Sequence, residues 1–99
     1  MRDLVILPHA VREAAAAVQW YDAERPGLGE AFYVRLEECI DFIHRNPQWH
    51  AEVEASYRRA LVRRFPFAVF YRYDDQQVII YSVFHCAQDP QKWPTQFSE

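Results

Sequence analysis

Glycine is nearly missing from this chain, with 2 among 99 residues. That scarcity excludes the glycine-rich loops that cradle phosphates. Gly27 and Gly29 flank Leu28, but no strand directly precedes them, so they do not form a dinucleotide turn. Cysteine is equally scarce. Cys39 and Cys86 lack metal-type spacing, and two cysteines do not build a disulfide framework. Both read as reduced thiols, Cys39 as a small core residue. His44 and His50 straddle Pro47 without a Cys or carboxylate pair at ligand spacing, so no metal site is expected, and no cofactor. No run of about 18 apolar residues occurs, and no basic-then-apolar N-terminus. The chain therefore reads as cytoplasmic, with no membrane association.

What is present is apolar and aromatic. Hydrophobic residues make up 51% and aromatics 16%, too much for a disordered chain. Ninety-nine residues make a single domain spanning 1–99, long enough for one core. Charge is uneven. Residues 1–56 carry a net −5 and residues 57–99 a net +2, for −3 overall. Five of the 11 basic residues fall between Arg58 and Arg72. The first half repels polyanions and the second attracts one, yet a pI near 5.8 suits phosphate binding poorly.

The pattern predicts an α+β fold. Asp3 to Pro8 is a short apolar strand ending at proline. His9 to about Glu24 is a helix with Val11, Ala14, Ala15, Val18 and Tyr21 at helical spacing. Arg25-Pro26-Gly27 stops it. Gly29 to Arg45 is a second helix, striped by Phe32, Leu36, Cys39, Ile40 and Ile43, with Glu37, Glu38 and Asp41 toward water. The short connection makes an antiparallel helical hairpin that Trp20 and Tyr21 are expected to seal. Gln48 to Ser56 reads as loop. A three-stranded antiparallel meander follows: Tyr57 to Phe65 around Leu61, Phe67 to Tyr73, and Gln77 to His85, with Asp74 to Gln77 as a hairpin turn. Strand up, helix down, helix up predicts a first strand antiparallel to the last. Val69, Phe70, Tyr71, Ile79, Ile80, Tyr81, Val83 and Phe84 load both sheet faces. The helices cover one. The tail with Trp93, a partner chain, or both should cover the other.

Several segments carry a resemblance: Ala17-Val18-Gln19-Trp20-Tyr21, Arg25 to Phe32, Ile43-His44-Arg45-Asn46-Pro47, Arg58 to Phe67, and the closing His85, Asp89-Pro90 and Trp93. In this order they resemble the RelE/ParE superfamily of type II toxins, in its ParE-type, plasmid-stabilisation branch. The likeness covers nearly the whole chain. It implies a toxin neutralised by a cognate antitoxin, with DNA contacted only through that antitoxin. It also implies one of two targets. ParE-like members poison DNA gyrase by protein–protein contact; RelE-like members cleave mRNA on the ribosome.

The residues favour gyrase. RNA cleavage needs a base, an acid and cations around the scissile phosphate. Arg63, Tyr71 and His85 are the nuclease candidates. Where relatives commonly carry Arg, three residues after His85, this chain has Gln88, which cannot neutralise a phosphate oxyanion. Under the gyrase reading, His85, Asp89 and Trp93 are expected to touch the target, and Arg58, Arg59, Arg63, Arg64 and Arg72 the antitoxin. Arg63 and Arg64 should project to opposite faces of their strand. Cys86 directly follows His85, so the two point apart and do not form a nucleophilic pair. A third reading is an inert module of the same fold that binds only its antitoxin. Trp49 and His50 have no evident partner.

Overall fold

The computed structural model describes residues 1–87. They form β1 (Asp3–Ile6), α1 (Pro8–Glu24), α2 (Leu28–Arg45), β2 (Glu52–Glu54), β3 (Tyr57–Leu61), β4 (Phe67–Tyr73) and β5 (Gln77–His85). The sheet order is β1-β5-β4-β3-β2. β1 pairs with β5 in parallel, and the other neighbours are antiparallel.

The parallel pair corrects the expected direction of the first strand. Only Leu7 separates β1 from α1, and Pro8 opens the helix, where a missing N–H leaves no bond unmade. No loop is available for a reversal. The Leu7 N–H donates to the Ile80 carbonyl at 3.0 Å, Glu13 meets Ser82 and Val83, and Tyr21 meets Phe67, which pairs with His85. α1 therefore advances along β5 in the direction of β5. α2 makes the return, from Phe32 beside Phe67 to His44 beside Arg2.

The helical hairpin turns on two glycines. Gly27 takes φ +89°, a left-handed conformation that costs other residues more. Gly29 sits so close to α1 that a Cβ would lie 2.4 Å from the Val18 carbonyl. Its N–H donates to Asp22 Oδ1 at 2.7 Å, so a carboxylate on α1 caps the N-terminus of α2.

The main core lies between the hairpin and one sheet face, with Phe32, Leu36 and Ile43 of α2 against Val69, Tyr71, Val78, Ile80 and Val83. Tyr21 packs on Phe32, Phe65 and Phe67, whereas Trp20 is 60% exposed and does not seal the hairpin. The buried residues of α1 are Ala10, Ala17 and Tyr21. Val11 and Ala15, expected inside, are exposed. The second face carries a smaller cluster of Tyr57, Ala68, Phe70 and Phe84. Trp93, expected over this face, lies outside the described residues.

β5 reaches both faces through a bulge. Phe70 pairs with Ser82 but Tyr71 with Ile80, leaving Tyr81 as the extra residue. Val78 and Ile80 face the helices before it, and Val83 after it. The Glu13 carboxylate of α1 accepts from Ser82 Oγ (2.7 Å) and Val83 N (2.8 Å) just beyond the end of β1. Those groups would otherwise be unpaired.

Two strand expectations change. Glu52–Glu54, read as loop, is a strand, joined to β3 by Ala55 and Ser56 at φ 52° and 68°. Two successive positive φ values make the tight hairpin turn that suits strand twist. β3 ends at Leu61 instead of Phe65, and Leu61 is 62% exposed. Residues 62–66 form a turn closed by Val62 N–H to Phe67 O at 2.9 Å, with Arg64 at φ 72°. The hairpin turn at Asp74 stands as expected: its Oδ1 accepts from the N–H groups of Gln76 and Gln77.

Candidate functional site

Two surfaces of different character flank α2. The first is an apolar groove of about 820 Å³ between β1 and the helical hairpin. It exists because the hairpin follows β5 and leaves β1 uncovered. Leu4 and Ile6 pair with Val78 and Ile80, which face the helices, yet both remain more than a third exposed. Ala14 and Ala15 carry too little volume to close the gap. Val11 and Tyr33 are exposed apolar walls, and Glu37, Asp41 and His44 form the polar rim.

The outer edge of β1 runs beside this groove. The N–H groups of Asp3 and Leu7 turn inward to β5, at 2.9 and 3.0 Å from their acceptors. By strand alternation, the N–H and C=O groups of Leu4 and Ile6 point away from the sheet. His44 Nε2 donates to the Arg2 carbonyl, which ties α2 to the start of this edge. The sequence reading missed the groove. Its signal is the helix-one stripe Val11, Ala14, Ala15 and Val18: Ala14 and Val18 pack against the core, and all four line the groove.

The second surface is basic. The 62–66 turn carries exposed Arg63 and Arg64, and the Cys86 N–H donates to the Pro66 carbonyl at 2.8 Å, so the end of β5 adjoins that turn. Here His85 is exposed, with its ring 5.3 Å from that of Phe67. The Ala87 N–H donates to His85 Nδ1 at 3.0 Å, which places the proton of the neutral ring on Nε2. Arg63 and Arg64 lie on a turn, so the opposite-face argument for them does not apply.

The remaining arginines separate by role. Arg58 is structural: it donates to the carbonyls of Gln48 and His50, lies 3.5 Å from Glu52, and covers the Tyr73 ring. Arg59 and Arg72 are exposed. Their cross-strand partners place both on the face away from the helices, where Arg72 lies over the Tyr57 ring at 5.1 Å. The five arginines therefore do not form one patch.

Tyr71 is fully buried, and its hydroxyl donates to the Pro47 carbonyl at 2.7 Å. Burial pushes its pKa up to about 12. His50 Nδ1 lies 3.3 Å from the same hydroxyl; burial, then the Arg58 charge, lowers the His50 pKa. Tyr71 stands four residues along β4 from Phe67, the partner of His85, or about 13 Å at 3.3 Å per residue. Arg63, Tyr71 and His85 do not converge. Asp89 and Trp93, with Gln88, lie outside the described residues. Among the described residues, no three His, Cys, Asp or Glu side chains gather as metal ligands. None of the described helices is long and apolar enough to cross a membrane.

Comparison with known proteins gives a consistent answer. Residues 4–90 match the family model for the ParE toxin of the type II toxin–antitoxin system parDE. The chain shares its fold with a structure of the chromosomal ParDE toxin–antitoxin system from P. aeruginosa. The TM-score is 0.76 at 17% identity, over 86% of this chain and 96% of that one. No curated protein matches by sequence.

Proposed function

We propose that this chain, which belongs to the ParE toxins of type II toxin–antitoxin systems, inhibits DNA gyrase by protein–protein contact in the cytoplasm and is silenced by an antitoxin. The observation that carries the choice of target is the dispersal of the nuclease candidates. General acid–base chemistry needs its groups within hydrogen-bond reach of one substrate. Here the Tyr71 hydroxyl is spent on the Pro47 carbonyl inside the core, away from His85. The target contact is assigned to the end of β5 and the tail, including His85, Asp89 and Trp93.

The antitoxin reading now centres on the groove. Apolar anchors docking between β1 and the hairpin would each gain about 1.5–3 kcal/mol from full burial. An extended segment beside them has the open edge of β1 to pair with. Arg59, Arg64 and Arg72 remain available to acidic residues of the same antitoxin, while Arg58 is already engaged. DNA is contacted only through the antitoxin.

The test is supercoiling by purified gyrase with the chain added, beside primer extension on mRNA from arrested cells. The expected result is lost supercoiling with intact mRNA. Trp93→Ala should relieve inhibition more than His85→Gln does, because buried aromatic anchors dominate such contacts. Codon-dependent cleavage with normal supercoiling would move the function to the ribosome. No growth arrest at all would leave an inert antitoxin-binding module.

A further inference from the structure

The flank of α2 opposite the groove holds a second concavity, of about 350 Å³, between α2 and β3. Cys39 and Phe42 supply apolar walls, the Leu61 backbone closes the β3 side with its carbonyl 3.7 Å from Cys39 Sγ, and Arg35, Arg45 and Arg63 stand at its rim with Glu38. His50 also lines it. Burial in this wall pushes the Cys39 thiol up to about 12, so it acts as an apolar surface and not as a thiolate. Beside the pocket stands Trp49, 71% exposed, with its ring 6.0 Å from Phe42.

Trp49 is presented from a loop that is tied down by five hydrogen bonds. The Tyr71 hydroxyl holds the Pro47 carbonyl. Arg58 holds the carbonyls of Gln48 and His50. Asn46 Nδ2 donates to the Phe42 carbonyl at 3.2 Å. The Trp49 N–H donates to the Asn46 carbonyl at 3.0 Å. An exposed tryptophan ordinarily forfeits side-chain and loop entropy on binding. Here the backbone is already fixed, which lowers the cost of using it as an anchor.

The rim charges define the partner. Arg35 is paired with Glu38 at 3.1 Å and Arg45 with Asp41 at 2.9 Å. Arg63 has no acidic partner among the described residues. The rim is therefore net positive above apolar walls. The volume suits one large side chain, not a whole helix. We propose that this pocket docks a single apolar side chain flanked by a carboxylate, presented by the protein target of the toxin, with Trp49 packing on the same partner. The assignment rests on the toxin reading above. It adds a target contact that the antitoxin groove does not share, since α2 stands between the two.

Two measurements on the full chain test it. The first uses 3-phenylpropionate, an apolar ring carrying a carboxylate, as the probe in an NMR titration. Amide shifts should gather at Cys39, Phe42 and Leu61, and Arg63→Glu should weaken the apparent affinity at least tenfold. Shifts confined to the groove residues Val11 and Tyr33, or none at all, would overturn the pocket. The second compares capture of purified gyrase and of antitoxin by Trp49→Ala and Arg63→Glu, both exposed side chains. Gyrase capture should fall at least tenfold while antitoxin capture stays within twofold. Unchanged gyrase capture, or an equal loss of both partners, would overturn the role in target docking. If the unaltered chain does not capture gyrase, the gyrase reading fails, and the probe titration still judges the pocket.

Discussion

The two flanks of α2 differ in size, charge and source. The groove side is broad and apolar, bounded by small side chains on α1 and by a strand whose outer edge is unpaired among the described residues. The pocket side is small and ringed by guanidinium groups, beside a tryptophan held on a pinned loop. A broad apolar trough with an open backbone edge suits a whole segment of a partner. A small pocket with a positive rim suits a single anchor. One helix thus offers two binding chemistries, because residues three or four apart share a side: Leu36 and Ile40 line the groove, Cys39 and Phe42 the pocket. The contrast suggests how a toxin can be recognised by its antitoxin and by its target through different chemistry.

The largest expected effect breaks both flanks together. Gly29→Ala places a methyl 2.4 Å from the Val18 carbonyl, a backbone atom that cannot turn aside. It also disturbs the Asp22 cap. A loss of about 1–3 kcal/mol or more in urea unfolding is expected, as for other overpacked contacts. Antitoxin and gyrase binding should fall in parallel. A stable variant that loses one partner alone would separate the flanks from the hairpin angle.

Next is a change restricted to the groove. Ile6→Asp and Val11→Asp each put a carboxylate on an exposed apolar wall, so the free chain should fold normally. Antitoxin binding should weaken by about 1.5–3 kcal/mol for each anchor removed, read by calorimetry. Gyrase capture should not change. Equal loss of both partners would mean that the two flanks act as one surface.

The contrast between flanks was only partly legible from the residues. The stripe Phe32, Leu36, Cys39, Ile40 and Ile43 marked the packed side of α2, because helical periodicity is a strong signal. The groove was not legible, since periodicity finds apolar residues but not whether anything covers them. Val11 and Ala15 have the spacing of a core face and end up outside. β2 was hidden for a different reason: Ala55 and Ser56 adopt positive φ without the Asn or Gly that normally announces such a turn. The bulge at Tyr81 was masked by the run Val78 to Phe84, apolar except for Ser82, in which too little alternation remains to show a slip. The direction of β1 depended on a one-residue link, Leu7, whose geometry composition does not encode. Tyr71 was visible as an aromatic in a strand, but its bond to the Pro47 carbonyl joins residues 24 apart.

That bond gives a smaller prediction confined to the pocket side. Tyr71→Phe keeps the ring and leaves the buried Pro47 carbonyl without its donor. The cost in stability should be about 1–3 kcal/mol, toward the low end if water reaches the carbonyl. Hydrogen exchange should quicken at Trp49 and His50, and gyrase capture should weaken, while antitoxin binding holds. Unchanged exchange in this loop would mean that Arg58 alone fixes it.

The smallest expected effect is a pH dependence that also belongs to the pocket side. His50 has its pKa lowered below the ordinary 6.5, by burial and then by the Arg58 charge. The folded protein therefore favours the neutral ring more strongly than the unfolded chain does. As pH falls through 6.5, the unfolded chain takes up the proton first, and the protonated unfolded state gains relative to the folded one. The contribution of His50 is complete above that pH and declines below it, until the folded ring is protonated too. His50→Phe keeps a ring against Phe42 and Tyr71 but cannot titrate. Thermal unfolding between pH 7 and pH 5 should show a shallower decline in this variant than in the parent. Partial exposure screens the charge, so the difference should be modest. A decline of equal slope in both proteins would assign the acid sensitivity to other groups and leave His50 as a packing residue alone.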